Sequence, residues 1–125
     1  MAKNEVTFHW KRTCSTCRNA KEVLLQAGVE MTERELSRER FTADELRALL
    51  AGRPATDIFS WKSPTARKLG LAAQQSTLSD EDLVRLMVGE PNLIRRPLLT
   101  VDSEIIPGFD KAARARLSEL LGKTV

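Results

Sequence analysis

The chain has 125 residues, of which 42% are apolar and 30% charged, and it carries a formal net charge of +3. That length suits one domain with a core of its own, and the balance is that of an ordinary soluble protein. The basic residues are interleaved with acids, with no Lys/Arg block, aromatic–basic stripe or apolar run of spanning length. Neither direct nucleic-acid binding nor a membrane partner is therefore expected. Met1-Ala2-Lys3-Asn4-Glu5 leads into no apolar h-region, so the reading is a cytoplasmic chain without a signal peptide.

The first element is a strand: Val6, Phe8 and Trp10 alternate with Thr7, His9 and Lys11. From Asn19 the period changes, with Ala20, Val23, Leu24 and Ala27 at helical spacing and Gly28 as the stop. Between the two lies Lys11-Arg12-Thr13-Cys14-Ser15-Thr16-Cys17-Arg18, which holds both cysteines. Cys14 falls at or near the helix N-cap, and Cys17 lies one turn on along the same face. Unpaired N–H groups and partial positive charge at a helix start favour an anion, and Lys11, Arg12 and Arg18 add formal charge. Both effects favour a Cys14 thiolate, the form that attacks disulfides and other electrophiles, with Cys17 placed to resolve the adduct. Three other readings stay open beside this redox dithiol. A structural zinc site needs about four ligands, and His9 is the one further His or Cys. A structural disulfide would close a tiny loop, and two inert core thiols would have to be buried at a basic junction. In a cytoplasmic chain a Cys-x-x-Cys pair is more often catalytic than structural, so the redox reading leads.

Val29 to Glu35 is expected as a second strand, completing a strand–helix–strand unit. Thr42-Ala43-Asp44-Glu45 is a capping box, with Phe41 and Leu46 as its staple; Leu46, Leu49 and Leu50 form the buried face and Gly52 the stop. Residues 53–96 read as mostly helical. Ser63-Pro64 opens a short helix ending at Gly70, and Ser79-Asp80-Glu81-Asp82 opens another, running to Gly89. Leu98, Leu99 and Val101, a turn at Asp102-Ser103, and Ile105-Ile106 make a hairpin. Asp110 caps a last helix carrying Ala113, Leu117, Leu120 and Leu121, closed by Gly122. The expected fold is α/β: a single domain, residues 1–125, with a thioredoxin-like (glutaredoxin-like) mixed four-stranded sheet. A helical insertion at about 53–96 precedes the C-terminal hairpin.

Four stretches then make the reading specific: Cys14-Ser15-Thr16-Cys17-Arg18, Ser63 to Leu71, Pro91 to Leu99, and Ile106-Pro107-Gly108-Phe109. In these, in order along nearly the whole chain, the protein resembles the arsenate reductase/Spx family of thioredoxin-fold proteins. The resemblance implies that Cys14 is the nucleophile. It implies that Cys17 matches the second cysteine of the Spx-type redox switch, where glutathione-dependent arsenate reductases generally have serine. Arg96 matches the arginine before the family's cis proline, here Pro97, and a guanidinium can hold an oxyanion or stabilise a thiolate. Arg95, Arg18 and Lys62 are further candidate binding residues.

The resemblance departs in two places. Ser60, and Ile106 or Pro107, stand where arsenate reductases gather further arginines. Pro54 stands where the Spx regulators contact RNA polymerase through a glycine, and they carry a tail beyond the last helix where this sequence ends at Val125. The resemblance thus implies a thiol–disulfide oxidoreductase, arsenate reductase-like, for which arsenate is a poor substrate. Its partners are glutathione, a glutaredoxin or a thioredoxin, and its substrate a disulfide or small oxyanion. No cofactor is expected, glutathione is a candidate co-substrate, and the chain is expected to be a monomer. The alternative is a Spx-like redox-sensing transcriptional regulator acting through RNA polymerase.

Overall fold

The computed structural model describes residues 4–125, so the leader reading of residues 1–3 lies outside it. The chain divides into two compact units, one of residues up to Glu39 together with Arg96–Val125, the other Arg40–Arg95.

The first unit holds the sheet. β1 (Val6–Trp10) leads to α1 (Ser15–Gln26) and β2 (Thr32–Glu35); β3 (Leu98–Val101) and β4 (Glu104–Pro107) form the hairpin before the C-terminal helix, Lys111–Leu121. The sheet order is β2-β1-β3-β4, with β1 parallel to β2 and antiparallel to β3. This is the mixed four-stranded α/β arrangement the sequence predicts. Phe8 is level with Leu99 on β3 and Glu33 on β2, and His9 with Leu98 and Arg34. Alternation along β1 sends Val6 and Phe8 into a core with Ala20 and Leu24 of α1, Leu99, Ile106 and Leu117. Phe8, Leu24, Leu99 and Leu117 are wholly buried, each stabilising the fold by roughly 1.5–3 kcal/mol through loss of apolar surface.

The second strand is shorter than Val29–Glu35, and the reason is local. Ala27 caps α1, Gly28 is left-handed at φ 76, Gly28 N–H donates to Leu25 O and Val29 N–H to Leu24 O, both at 3.0 Å. That Schellman closure commits residues 28–29 to finishing the helix, so ladder pairing begins at Thr32. In the hairpin Asp102 takes the left-handed turn position at φ 55, which short Asx side chains tolerate.

The second unit is helical and begins at Arg40. It contains α2 (Ala43–Leu50), α3 (Pro64–Lys68), α4 (Asp80–Gly89) and 3₁₀ turns at Ala55–Asp57, Leu71–Gln74 and Pro91–Leu93. Thr42 and Glu45 form the expected capping box, and Ser79 and Asp82 form another. α2 closes one residue before its expected stop: Ala51 is already left-handed at φ 49, and Gly52 follows at φ 85. Leu46, Ile58, Phe59, Leu83 and Met87 are among its buried side chains. An Arg47–Glu81 ion pair lies at the surface between α2 and α4, where such pairs add little. Among the described residues no helix is long and apolar enough to cross a membrane. The final helix of the first unit is α5 (Lys111–Leu121), capped by the Asp110 carboxylate accepting Ala113 N–H.

Candidate functional site

The site grows from the junction of β1 and α1. Residues 11–13 turn the chain, and Cys14 N–H donates back to Lys11 O at 3.0 Å. Cys14 then adopts extended backbone (φ −91°, ψ 115°) and is the N-cap of α1. Its Sγ accepts the Cys17 N–H at 3.3 Å, doing with sulfur what Ser, Thr or Asp oxygens usually do at this position. The nucleophile candidate is thus held by an orphan donor of the first helical turn.

The two thiols are free and differ in exposure: Cys14 is half-buried, whereas Cys17 has no accessible surface. Burial first, then a hydrogen bond to Cys14 and the charge on Cys14, push the Cys17 thiol up to about 12. A hydrogen bond with the Lys11 backbone and the Arg96 guanidinium pull the other way and are outweighed. Cys17 is therefore a protonated, sheltered thiol one turn behind an accessible one.

Arg96 is half-exposed and its charge reaches Cys17, so the structure brings Cys14, Cys17 and Arg96 together in the first unit. The Arg96–Pro97 peptide bond is cis. Pro97 is buried, accepts Gly108 N–H at 2.7 Å, and precedes Leu98, the partner of His9 on β1. Pro97 thus stands at the end of the sheet from which the cysteine loop leaves. Arg18 is exposed, and its Nη1 donates to Arg12 O at 2.9 Å, bracing the loop before Cys14. Lys62, exposed, and Arg95, whose N–H donates to Ile58 O at 2.8 Å, belong to the second unit. Ile106, at a position where an oxyanion-binding arginine would be sought, is buried in the core of the first unit.

The ArsC family model matches residues 9–116. The chain belongs to the ArsC family. Among its relatives is the regulatory protein MgsR of Bacillus subtilis, 28% identical over 119 residues, covering 94% of this chain and 93% of MgsR. Another is the global transcriptional regulator Spx of Staphylococcus epidermidis, 32% identical over 108 residues, covering 85% of this chain and 81% of that one. Among solved structures, a protein from Streptococcus mutans described as a possible arsenate reductase superposes with a TM-score of 0.76. It is 26% identical over 93% of this chain and 99% of its own. ArsC-family membership therefore spans relatives named as regulators and a neighbour described as a reductase.

One residue of this ArsC-family site escapes sequence reasoning. Glu35, at the end of β2, accepts Arg12 N–H at 2.9 Å across 23 residues of chain. Its neighbours in sequence, Arg34, Leu36 and Ser37, carry no motif, and the one available signal is its place at the end of the strand parallel to β1.

Proposed function

We propose that the protein is a thiol–disulfide oxidoreductase in which Cys14 attacks and Cys17 resolves. The observation that carries this is the pairing of a half-exposed Cys14 sulfur, held at the α1 N-cap, with a wholly buried Cys17 one turn on. The Cys14 thiolate attacks one sulfur of a substrate disulfide, forming a Cys14 mixed disulfide and expelling the first substrate thiolate. Cys17 then loses its proton to solvent and attacks Cys14 Sγ, forming the Cys14–Cys17 disulfide and expelling the second. One electron pair has passed from the dithiol to the substrate, and two equivalents of glutathione, or a reduced thioredoxin or glutaredoxin, return it. No cofactor takes part.

The surroundings of Cys17 fit this sequence. Two of the causes that hold its proton, the hydrogen bond to Cys14 and the Cys14 charge, disappear when Cys14 is in a mixed disulfide. The Lys11 backbone bond and Arg96 remain, and both favour the Cys17 thiolate at the moment it must attack. Arg96 also offers a planar donor set for a carboxylate or small oxyanion on the substrate. Arsenate, a multiply charged oxyanion, is best held by several such forks. With Ile106 in the core, the reading is weak arsenate turnover.

The test is disulfide exchange with a generic disulfide beside arsenate reduction with glutathione and glutaredoxin, on the same preparation. Exchange lost in Cys14→Ser, with a trapped mixed disulfide in Cys17→Ser, is expected, together with arsenate turnover near background. Robust arsenate turnover abolished by Arg96→Ala would overturn the substrate reading.

A second reading is favoured by the names of MgsR and Spx: a redox-sensing regulator whose Cys14–Cys17 disulfide alters a protein-binding surface. Capture of RNA polymerase by one redox form and not the other supports the regulator. Capture by neither form supports the enzyme.

A further inference from the structure

The loop of residues 11–13 touches both cysteines, and its backbone is held at several points. Lys11 O takes the Cys14 N–H at 3.0 Å, and the Lys11 backbone also bonds the Cys17 thiol. Arg12 O takes Arg18 Nη1 at 2.9 Å. Arg12 N–H donates to Glu35 Oε2 at 2.9 Å. The other oxygen of that carboxylate, Oε1, takes Ser37 N–H at 2.9 Å, Arg38 N–H at 3.1 Å and the Ser37 hydroxyl. Four donors thus converge on one side chain, and an ionised carboxylate is the form that offers acceptors alone. Burial acts against that charge, but the Ser37 hydroxyl and the N–H groups of Arg12, Ser37 and Arg38 outweigh it.

We infer that Glu35 is a positioning residue for the Cys14–Cys17 pair: its carboxylate ties the 11–13 loop to the turn after β2. In that way it keeps the Lys11 backbone against Cys17 and Cys14 at the N-cap. The inference rests on the dithiol reading above. Glu35 is half-exposed and stands outside the core cluster of Val6, Phe8, Leu24 and Leu99. Its removal therefore loosens the loop and leaves the packing intact. The bonds that the loop makes favour the reduced pair, so loosening it slows Cys14 and moves the dithiol–disulfide balance toward the disulfide. Serine or glutamine at position 35 cannot replace the carboxylate. A glutamine keeps the size but has one acceptor oxygen in place of two, so its N–H₂ meets either the Arg12 N–H or the N–H groups of Ser37 and Arg38.

The experiment compares the full chain with Glu35→Gln, Glu35→Ala and Glu35→Asp. It reads the iodoacetamide rate at Cys14 by mass spectrometry, and the dithiol–disulfide equilibrium constant against reduced and oxidised glutathione. Glu35→Gln and Glu35→Ala are expected to slow Cys14 by roughly 3- to 10-fold and shift the equilibrium by a similar factor, the scale of one ordinary intramolecular hydrogen bond. Glu35→Asp, which keeps the charge on a shorter stem, recovers part of both. Rates and constants within about two-fold of the parent for Gln and Ala overturn the inference. So does a loss confined to melting temperature. If the Glu35 variants do not fold, Arg18→Lys, which keeps the positive charge beside Cys14 but gives up the guanidinium donor, releases the same loop at Arg12 O from the exposed face of α1. The same two shifts there support loop positioning, and unchanged values overturn it. A parent chain whose Cys14 is no more reactive than Cys17, or which forms no internal disulfide, fails the dithiol reading instead.

Discussion

The buried thiol makes folding stability depend on pH on the alkaline side. Cys17 has an ordinary value of 9.0 and is pushed up to about 12 in the fold, chiefly by burial. Between those values the unfolded chain releases the proton and the folded chain keeps it, so stability falls as pH rises. For this one group, linkage gives a loss of about 1.4 kcal/mol between about pH 8 and about pH 10. The sequence contains no tyrosine, which removes one background titration. Groups that make no contact with Cys17 contribute equally in parent and variant, and the difference cancels them. The measurement is urea unfolding of the parent and Cys17→Ala at both pH values, under reducing conditions. The variant has a lower but flatter stability: the cavity left by the sulfur lowers it equally at each pH, whereas the alkaline loss belongs to the parent. Equal alkaline losses in the two proteins would refute the assignment of a sheltered, protonated Cys17.

Two further outcomes test the frame around the site. Leu24→Ala empties a wholly buried position between α1 and the sheet, and is expected to cost about 3 kcal/mol in urea unfolding. Thr42→Ala removes one half of the α2 capping box, and is expected to cost about 1 kcal/mol, read as a lowered midpoint with an unchanged slope.

Much of the fold was legible because several signals coincided at single positions. Val6, Phe8 and Trp10 alternate up to a Cys-x-x-Cys that opens a helix, and the structure puts Cys14 at the N-cap. The boxes at Thr42 and Ser79 and the cap at Asp110 each mark a helix start within one residue. The boundaries that were not legible depend on how chain ends close. Val29 looks like strand, yet its N–H is consumed by Leu24 O, and Ala51 takes a left-handed conformation that glycine was expected to hold. The 3₁₀ turns at Ala55–Asp57 and Pro91–Leu93 are too short to carry a period. At the candidate site, motif and resemblance named Cys14, Cys17, Arg96 and Pro97. Glu35 was not named, because a carboxylate serving a backbone N–H 23 residues away leaves no trace in local spacing. Arg18, read as a charge beside the thiol, turns out to brace a carbonyl as well.

The sulfur at the α1 N-cap has two employments at once, since the atom that would do the chemistry also starts the helix. An adduct on Cys14 weakens its lone pairs as acceptors and leaves the Cys17 N–H poorly satisfied, a loss on the scale of about 1 kcal/mol for an N-cap. That penalty falls on the intermediate and not on the resting dithiol. α1 carries Ala20 and Leu24 into the core, so a trapped Cys14 adduct should fray at its first turn while its packed centre holds. The mixed disulfide is in this sense a spring-loaded state, and the route that relieves it begins at the residue whose amide was abandoned.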